Sequence, residues 1–216
     1  MISRHLRPLA VMTAATICLS FWACTTDPSE PPPAPDTNQV DRVALLIVAV
    51  DALAPELTRL ASWKSSTGLP SQVITLSEAL KNGHGADNAA RLRDYIHQVW
   101  TRGSLTHVLL AGDYPAMPIR RVHTTADVTS ESTFVEDNVA TDLYFADLDA
   151  SWDPDANGVF GELSDQADLL PDIAIGRLPA DSSAEARAFV DKILAYEKTP
   201  RGDYEDKILF VGEYAG

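Results

Sequence analysis

The chain has 216 residues, 45% of them hydrophobic, with 17 Lys and Arg against 31 Asp and Glu and a formal charge of −14. That apolar content supplies a core, and the length left after the amino-terminal segments fits one large α/β domain or two small ones. The acidic balance excludes nucleic acid and an anionic membrane surface as partners, and favours a metal or a cationic substrate.

Arg4, His5 and Arg7 precede an apolar run from Pro8 to Ala23 that has the charge and length of a secretory leader rather than a membrane span, so residues 1–23 read as a signal peptide. Cys24 follows a small residue at the end of that run, which makes it the expected acylated first residue of an envelope lipoprotein; a membrane is then reached only through the lipid. Phe21 and Trp22 are bulky for that pattern, and plain secretion with cleavage nearby remains the alternative. Residues 24–41, rich in proline and polar groups, read as an extended tether. Cys18 and Cys24 are the only cysteines, so the body from residue 42 has no disulfide, no thiolate metal site and no cysteine nucleophile.

Val43 to Val50 is a continuous apolar run, expected for a strand buried on both faces of a parallel sheet. A helix should follow from about Pro55 to Gly68, then a strand from Gln72 to Leu76 and a helical turn from Ser77. Leu92, Tyr95, Ile96 and Val99 mark one face of a helix opening at Asp87, and Thr106 to Ala111 is a third strand with Gly112-Asp113 at its carboxyl end. This order predicts a doubly wound parallel sheet, in which ligands collect at carboxyl ends of strands. Asp113 therefore reads either as a ligand-facing acid or as a plain turn aspartate. Residues 121–140 lack periodicity and read as a long surface loop.

Two further strands are expected at Leu143–Leu148 and Ile173–Leu178, around a stretch carrying Asp149, Asp153, Asp155, Glu162, Asp165, Asp168 and Asp172. Clustered carboxylates repel, and a hard cation taking six to eight oxygens relieves this; a solvated acidic loop is the alternative. Asp153-Pro-Asp155-Ala-Asn157-Gly158 copies the first half of an EF-hand loop, but position 12 is Ser164 and the nearest acid, Glu162, stands at position 10. Ser182 and Glu185 form a capping box for a helix to about Lys198. A strand from Lys207 to Val211 should end at Gly212-Glu213, and with no helix after it to cover its face the domain reads as cut in half.

In this order LASWKSSTGLPSQVITLSEAL, ADNAARLRDYIHQVW, THVLLAGDYPAMPIR, TDLYFADLD and DLLPDIAIGRLPADSSAEARAFVDKILAYEK resemble the gingipain-like cysteine peptidases of the caspase-like fold. The resemblance implies α/β architecture with two stacked subdomains, the second truncated: residues 42–125, a connecting loop at 126–140, and an incomplete catalytic-type subdomain at 141–216. It implies an exported endopeptidase acting on protein or peptide. It also implies structural calcium held by Asp113, Asp149, Asp168, the Leu170 carbonyl and Asp172; the half EF-hand pattern of Asp153, Asp155 and Asn157, an insertion in this longer loop, reads separately as a second or extended calcium loop. The family's histidine and cysteine fall on later strands, outside these 216 residues; Glu213 stands where an acid assists that histidine. His84, His97, His107 and His123 read as surface, helix-face, strand-edge and loop residues, with no cysteine in the body to partner. The alternative is a non-catalytic calcium-binding surface lipoprotein derived from the same fold. A phosphate-binding enzyme is a poor reading, because Asp51-Ala-Leu-Ala rather than a glycine-rich loop follows the first strand.

Overall fold

The computed structural model describes residues 42–129, 132–199, 202, 207–210 and 212. Its centre is a parallel sheet in the order β2-β1-β3-β6, made of β1 (Leu45–Ala49), β2 (Ser71–Thr75), β3 (His107–Ala111) and β6 (Ala174–Leu178). The doubly wound expectation is met. β1 is buried along its whole length because it is central and covered on both faces.

Side-chain alternation sorts each strand between two cores. Leu46 and Val48 of β1, with Val108 and Leu110 of β3, face a core closed by α2 (Leu76–Asn82), α3 (Asn88–Trp100) and the stretch from Tyr144 to Trp152. Leu45, Ile47 and Ala49, with Ala111 and Leu178, face a second core under α1 (Ala54–Ser66) and α4 (Ser183–Lys198). The helices start where their caps put them. Asp87 accepts a hydrogen bond from the Ala90 amide at 2.8 Å, and Ser182 accepts from Glu185 at 3.3 Å. Glu185 reaches back to the Asp181 amide at 2.8 Å, a capping box displaced by one residue.

Three expectations are corrected. Residues 121–140 are not a loop but most of an antiparallel hairpin, β4 (Arg120–Thr129) and β5 (Ser132–Thr141), with register shifts near His123 and Thr129. Its β-branched content carried the signal; the bulges break the alternation that would have shown it. Leu143 to Leu148 is not a strand. Leu143–Phe145 form a 3₁₀ turn, with the Asp147 amide bonded to Leu143, and Tyr144 to Leu148 are all buried, a run that periodicity cannot tell from a covered strand. β6 pairs with β3 from Ala174 against His107 to Leu178 against Ala111, and α4 packs on α1. Residues beyond the hairpin thus complete the first sheet. Lys207–Phe210, expected as strand, have no regular structure and expose Ile208, Leu209 and Phe210. Glu213 and Cys24, with the leader and tether, lie outside the described residues.

Candidate metal centre

The acidic stretch runs from the 3₁₀ turn back to β6, and its two ends are tied before its carboxylates meet. The Asp172 amide donates to the Ala146 carbonyl at 2.9 Å. In return Asp172 Oδ2 accepts from the amides of Leu148, at 2.7 Å, and Asp149, at 3.3 Å. From α3, Arg93 donates to three carbonyls of the same turn, Tyr144 at 2.8 Å and Asp147 and Ala150 both at 2.7 Å. Burial pulls its guanidinium below the usual range, against the opposing pull of Tyr144 and the carboxylates of Asp147 and Asp172. On β6, Arg177 donates to both oxygens of Asp142 at 2.9 and 2.7 Å and to the Pro118 carbonyl at 2.8 Å, fixing the chain just ahead of the turn.

Within this frame one carboxylate oxygen each of Asp147, Asp149 and Asp168 lies within 4.8 Å of the others. Asp149 and Asp168 were expected here; Asp147 was not. Asp147 is fully buried, at 0% exposure. Its Oδ1 accepts from the Ala150 amide at 3.3 Å, while Oδ2 is buried with no hydrogen-bond partner among the described residues. Burial pushes this carboxyl above its ordinary range, repulsion from Asp168 and Asp149 adds to the rise, and the Ala150 amide and Arg93 oppose it. A buried, unsatisfied carboxylate facing two others is costly without a compensating charge, and an all-oxygen set suits a hard cation. The residues therefore fit calcium.

The other expected ligands stand differently. Leu170 is exposed and meets the cluster through its amide, which donates to Asp168 Oδ1 at 2.9 Å. Asp172 acts here as the clamp on residues 148–149 and is not in the carboxylate group. Asp113 is outside the group as well; its Oδ1 accepts from the next amide, Tyr114, at 2.7 Å, as the turn reading predicts.

Asp153 and Asp155 form a second group with Asp165, again with oxygens within 4.8 Å. Asn157 is turned to another task, its amide nitrogen donating to Asp155 and Glu162 and its oxygen accepting from Val159. Asp165 was counted in the acidic stretch but not as a ligand, and Asp147 and Arg93 were missed, because their roles depend on burial, which an apolar neighbourhood in sequence hints at only for Asp147. His84 is exposed beside Asp94, its Nδ1 at 3.2 Å from the carboxylate, and far in sequence from either group.

A model of Peptidase family C25 matches residues 38–216. Among solved structures, a protease aligns with a TM-score of 0.51 and 21% identity, covering 72% of this chain and 28% of its own. The complex of Porphyromonas gingivalis RgpB pro- and mature domains aligns with a TM-score of 0.48 and 15% identity, covering 71% and 29%. The first of these likenesses speaks for the fold alone, and the chain spans under a third of the length of either structure. No curated protein matches the chain.

Proposed function

Because the chain belongs to peptidase family C25, the family of the gingipains, we propose that it is the amino-terminal portion of an exported gingipain-like cysteine endopeptidase, braced by structural calcium. The match over residues 38–216 carries this reading. Its substrate is protein or peptide, and the fold supplies a rigid parallel sheet on which a catalytic half can be built. Peptide-bond hydrolysis of this type needs a thiolate nucleophile, an imidazole base and amide donors for the oxyanion. The cysteines of these 216 residues are Cys18, in the expected leader, and Cys24, directly after it, so in this reading the nucleophile and base come from further sequence. Glu213 is then the acid that steadies the histidine.

Calcium, when bound, supplies the positive charge that three converging carboxylates lack. Asp147, Asp149 and Asp168 would hold it, with Asp147 Oδ2, which has no hydrogen-bond partner among the described residues, as the strongest support. The chain's own part is positional: Arg93 and Asp172 fix the backbone that aims these groups, and through Asp172 the site is tied to the residue two places before β6. Cys24 as a lipid anchor belongs to the same proposal and places the enzyme at the cell envelope.

The test is the intact mass of the native protein, released with detergent, followed by peptide hydrolysis with and without calcium and with a thiol alkylator. A mass well above 23.4 kDa with calcium-dependent, alkylation-sensitive hydrolysis supports the proposal. A mass at or below it without hydrolysis overturns the catalytic reading in favour of a calcium-binding surface lipoprotein, a reading motivated by the cysteine-free body.

A further inference from the structure

The group of Asp153, Asp155 and Asp165 lies within the same acidic stretch as Asp147, Asp149 and Asp168 but shares no carboxylate with them. Asp153 Oδ1 accepts from the Asn157 amide at 3.0 Å and Oδ2 from the Gly158 amide at 3.1 Å, which folds the loop so that its acids converge. Asp165 is the anomaly. It is only 5% exposed, its Oδ2 accepts from the Glu162 amide at 3.0 Å, and its Oδ1 is buried with no hydrogen-bond partner among the described residues. A carboxylate oxygen so placed costs about 1–3 kcal/mol unless something fills its lone pairs. One carboxylate oxygen each of Asp153 and Asp155 lies within 4.8 Å of one of Asp165, and ionised carboxylates accept but cannot donate, so a proton donor is not what this group offers.

We propose that this loop is a second divalent-cation site of the calcium class, with Asp153, Asp155 and Asp165 as ligands. Asp165 stands at position 13 counted from Asp153, one residue beyond the Ser164 that occupies the usual place of the last EF-hand acid. The donor set is all oxygen, without imidazole or thiolate, which selects a hard ion over zinc or copper.

Its consequence is a staple on the β4–β5 hairpin. The loop turns straight into Phe160, whose carbonyl accepts from the His123 amide of β4 at 2.8 Å, and Gly161, whose amide donates to the Trp152 carbonyl at 2.9 Å. The Arg120 guanidinium sits 3.9 Å from the Phe160 ring centre and 4.6 Å from that of Tyr144, so β4 is held to the body through residues the loop positions. A cavity of about 280 Å³, lined by Val122, Thr124, Val139, Trp152 and Leu169 among others, lies between hairpin and loop. With the ion bound the loop is rigid and the hairpin is closed down; without it three carboxylates repel and the Phe160 contact loosens. This site does not depend on the catalytic reading.

The experiment is calcium titration calorimetry with native mass spectrometry on the full chain, comparing the wild type with Asp155→Asn, Asp165→Asn and Asp168→Asn. Amide hydrogen exchange at His123 is followed with and without calcium. The expected wild type takes two ions, and calcium slows exchange at His123 by about tenfold or more. Asp155→Asn and Asp165→Asn each lose one ion and that slowing, whereas Asp168→Asn loses the other ion and keeps it. A wild type taking one ion, lost in Asp155→Asn but kept in Asp168→Asn, upholds this site and sinks the Asp147 centre. Unchanged stoichiometry and exchange in Asp155→Asn overturns the proposal, as does a wild type that takes no calcium at about 10 mM, above the weakest extracellular sites. If Asp165→Asn fails to fold, Asp155→Asn, an exposed side chain, decides alone.

Discussion

Replacing Asp147 by Asn should change the sign of its effect with calcium, and the structure gives the size of both arms. The substitution is made in an Asp155→Asn background, so that the second loop contributes nothing. Without calcium, the variant removes a fully buried carboxylate whose Oδ2 has no hydrogen-bond partner among the described residues and which faces Asp149 and Asp168. The Asn oxygen can still accept from Ala150, and its amide can donate to either acid, relieving about 1–3 kcal/mol of unsatisfied polarity. In EGTA the variant should therefore be more stable. With calcium at a hundred times its dissociation constant, the Asp147 protein gains about 2.7 kcal/mol, and the Asn protein close to nothing. For a chain of this size each kcal/mol moves Tm by about 2–4 °C, so the calcium-induced rise of about 5–11 °C should vanish on substitution. Thermal denaturation by circular dichroism, four samples in EGTA or calcium, reads both arms. A variant that keeps the calcium-induced rise, or that falls by more than about 3 kcal/mol in EGTA, refutes the reasoning.

Arg93→Met keeps the aliphatic length but removes the donors to Tyr144, Asp147 and Ala150; it should cost about 3–5 kcal/mol by urea denaturation and weaken calcium binding, and an unchanged calcium isotherm would show that the turn is held by other means. At Asp87, burial raises the carboxyl, but the hydrogen bonds from Arg120 and the Ala90 amide prevail and hold it below the usual carboxylate range. Its contribution is thus present above about pH 4 and lost as the pH falls through the depressed value. Asp87→Asn preserves the cap and should cost about 1 kcal/mol at pH 7, since the carboxylate is half exposed, with the difference from wild type closing in acid; a pH-independent difference would exclude the ion pair as cause. Gly112→Ala places a Cβ 2.4 Å from Val50 Cγ2 at a φ of +145° and should cost about 3 kcal/mol, while Gly176→Ala on the edge strand meets nothing within 4 Å and should be neutral or slightly stabilising. Equal effects of the two in denaturant melts would mean that the β1–β3 crossing is looser than its geometry implies.

The local grammar of this chain was readable. The apolar run at 43–50, Asp87 before a 3.6-residue pattern and Ser182 with Glu185 are short-range signals, and β1, α3 and α4 stand where they point. The family was readable for the same reason, as a set of phrases in order, and so was the concentration of carboxylates between the hairpin and β6. Which of those carboxylates meet was not. Asp113 and Asp172 are drawn off by backbone amides, whereas Asp147 and Asp165 lose their water when the Tyr144–Leu148 run and Trp152 pack into the core. Nor was it readable that β6 joins the first sheet, because strand pairing is settled by which edge is open when the second core closes under α1 and α4. Sequence fixes which groups carry charge and which segments bend or extend. Desolvation belongs to the folded whole, and it is desolvation that turns an ordinary aspartate into a group that needs an ion.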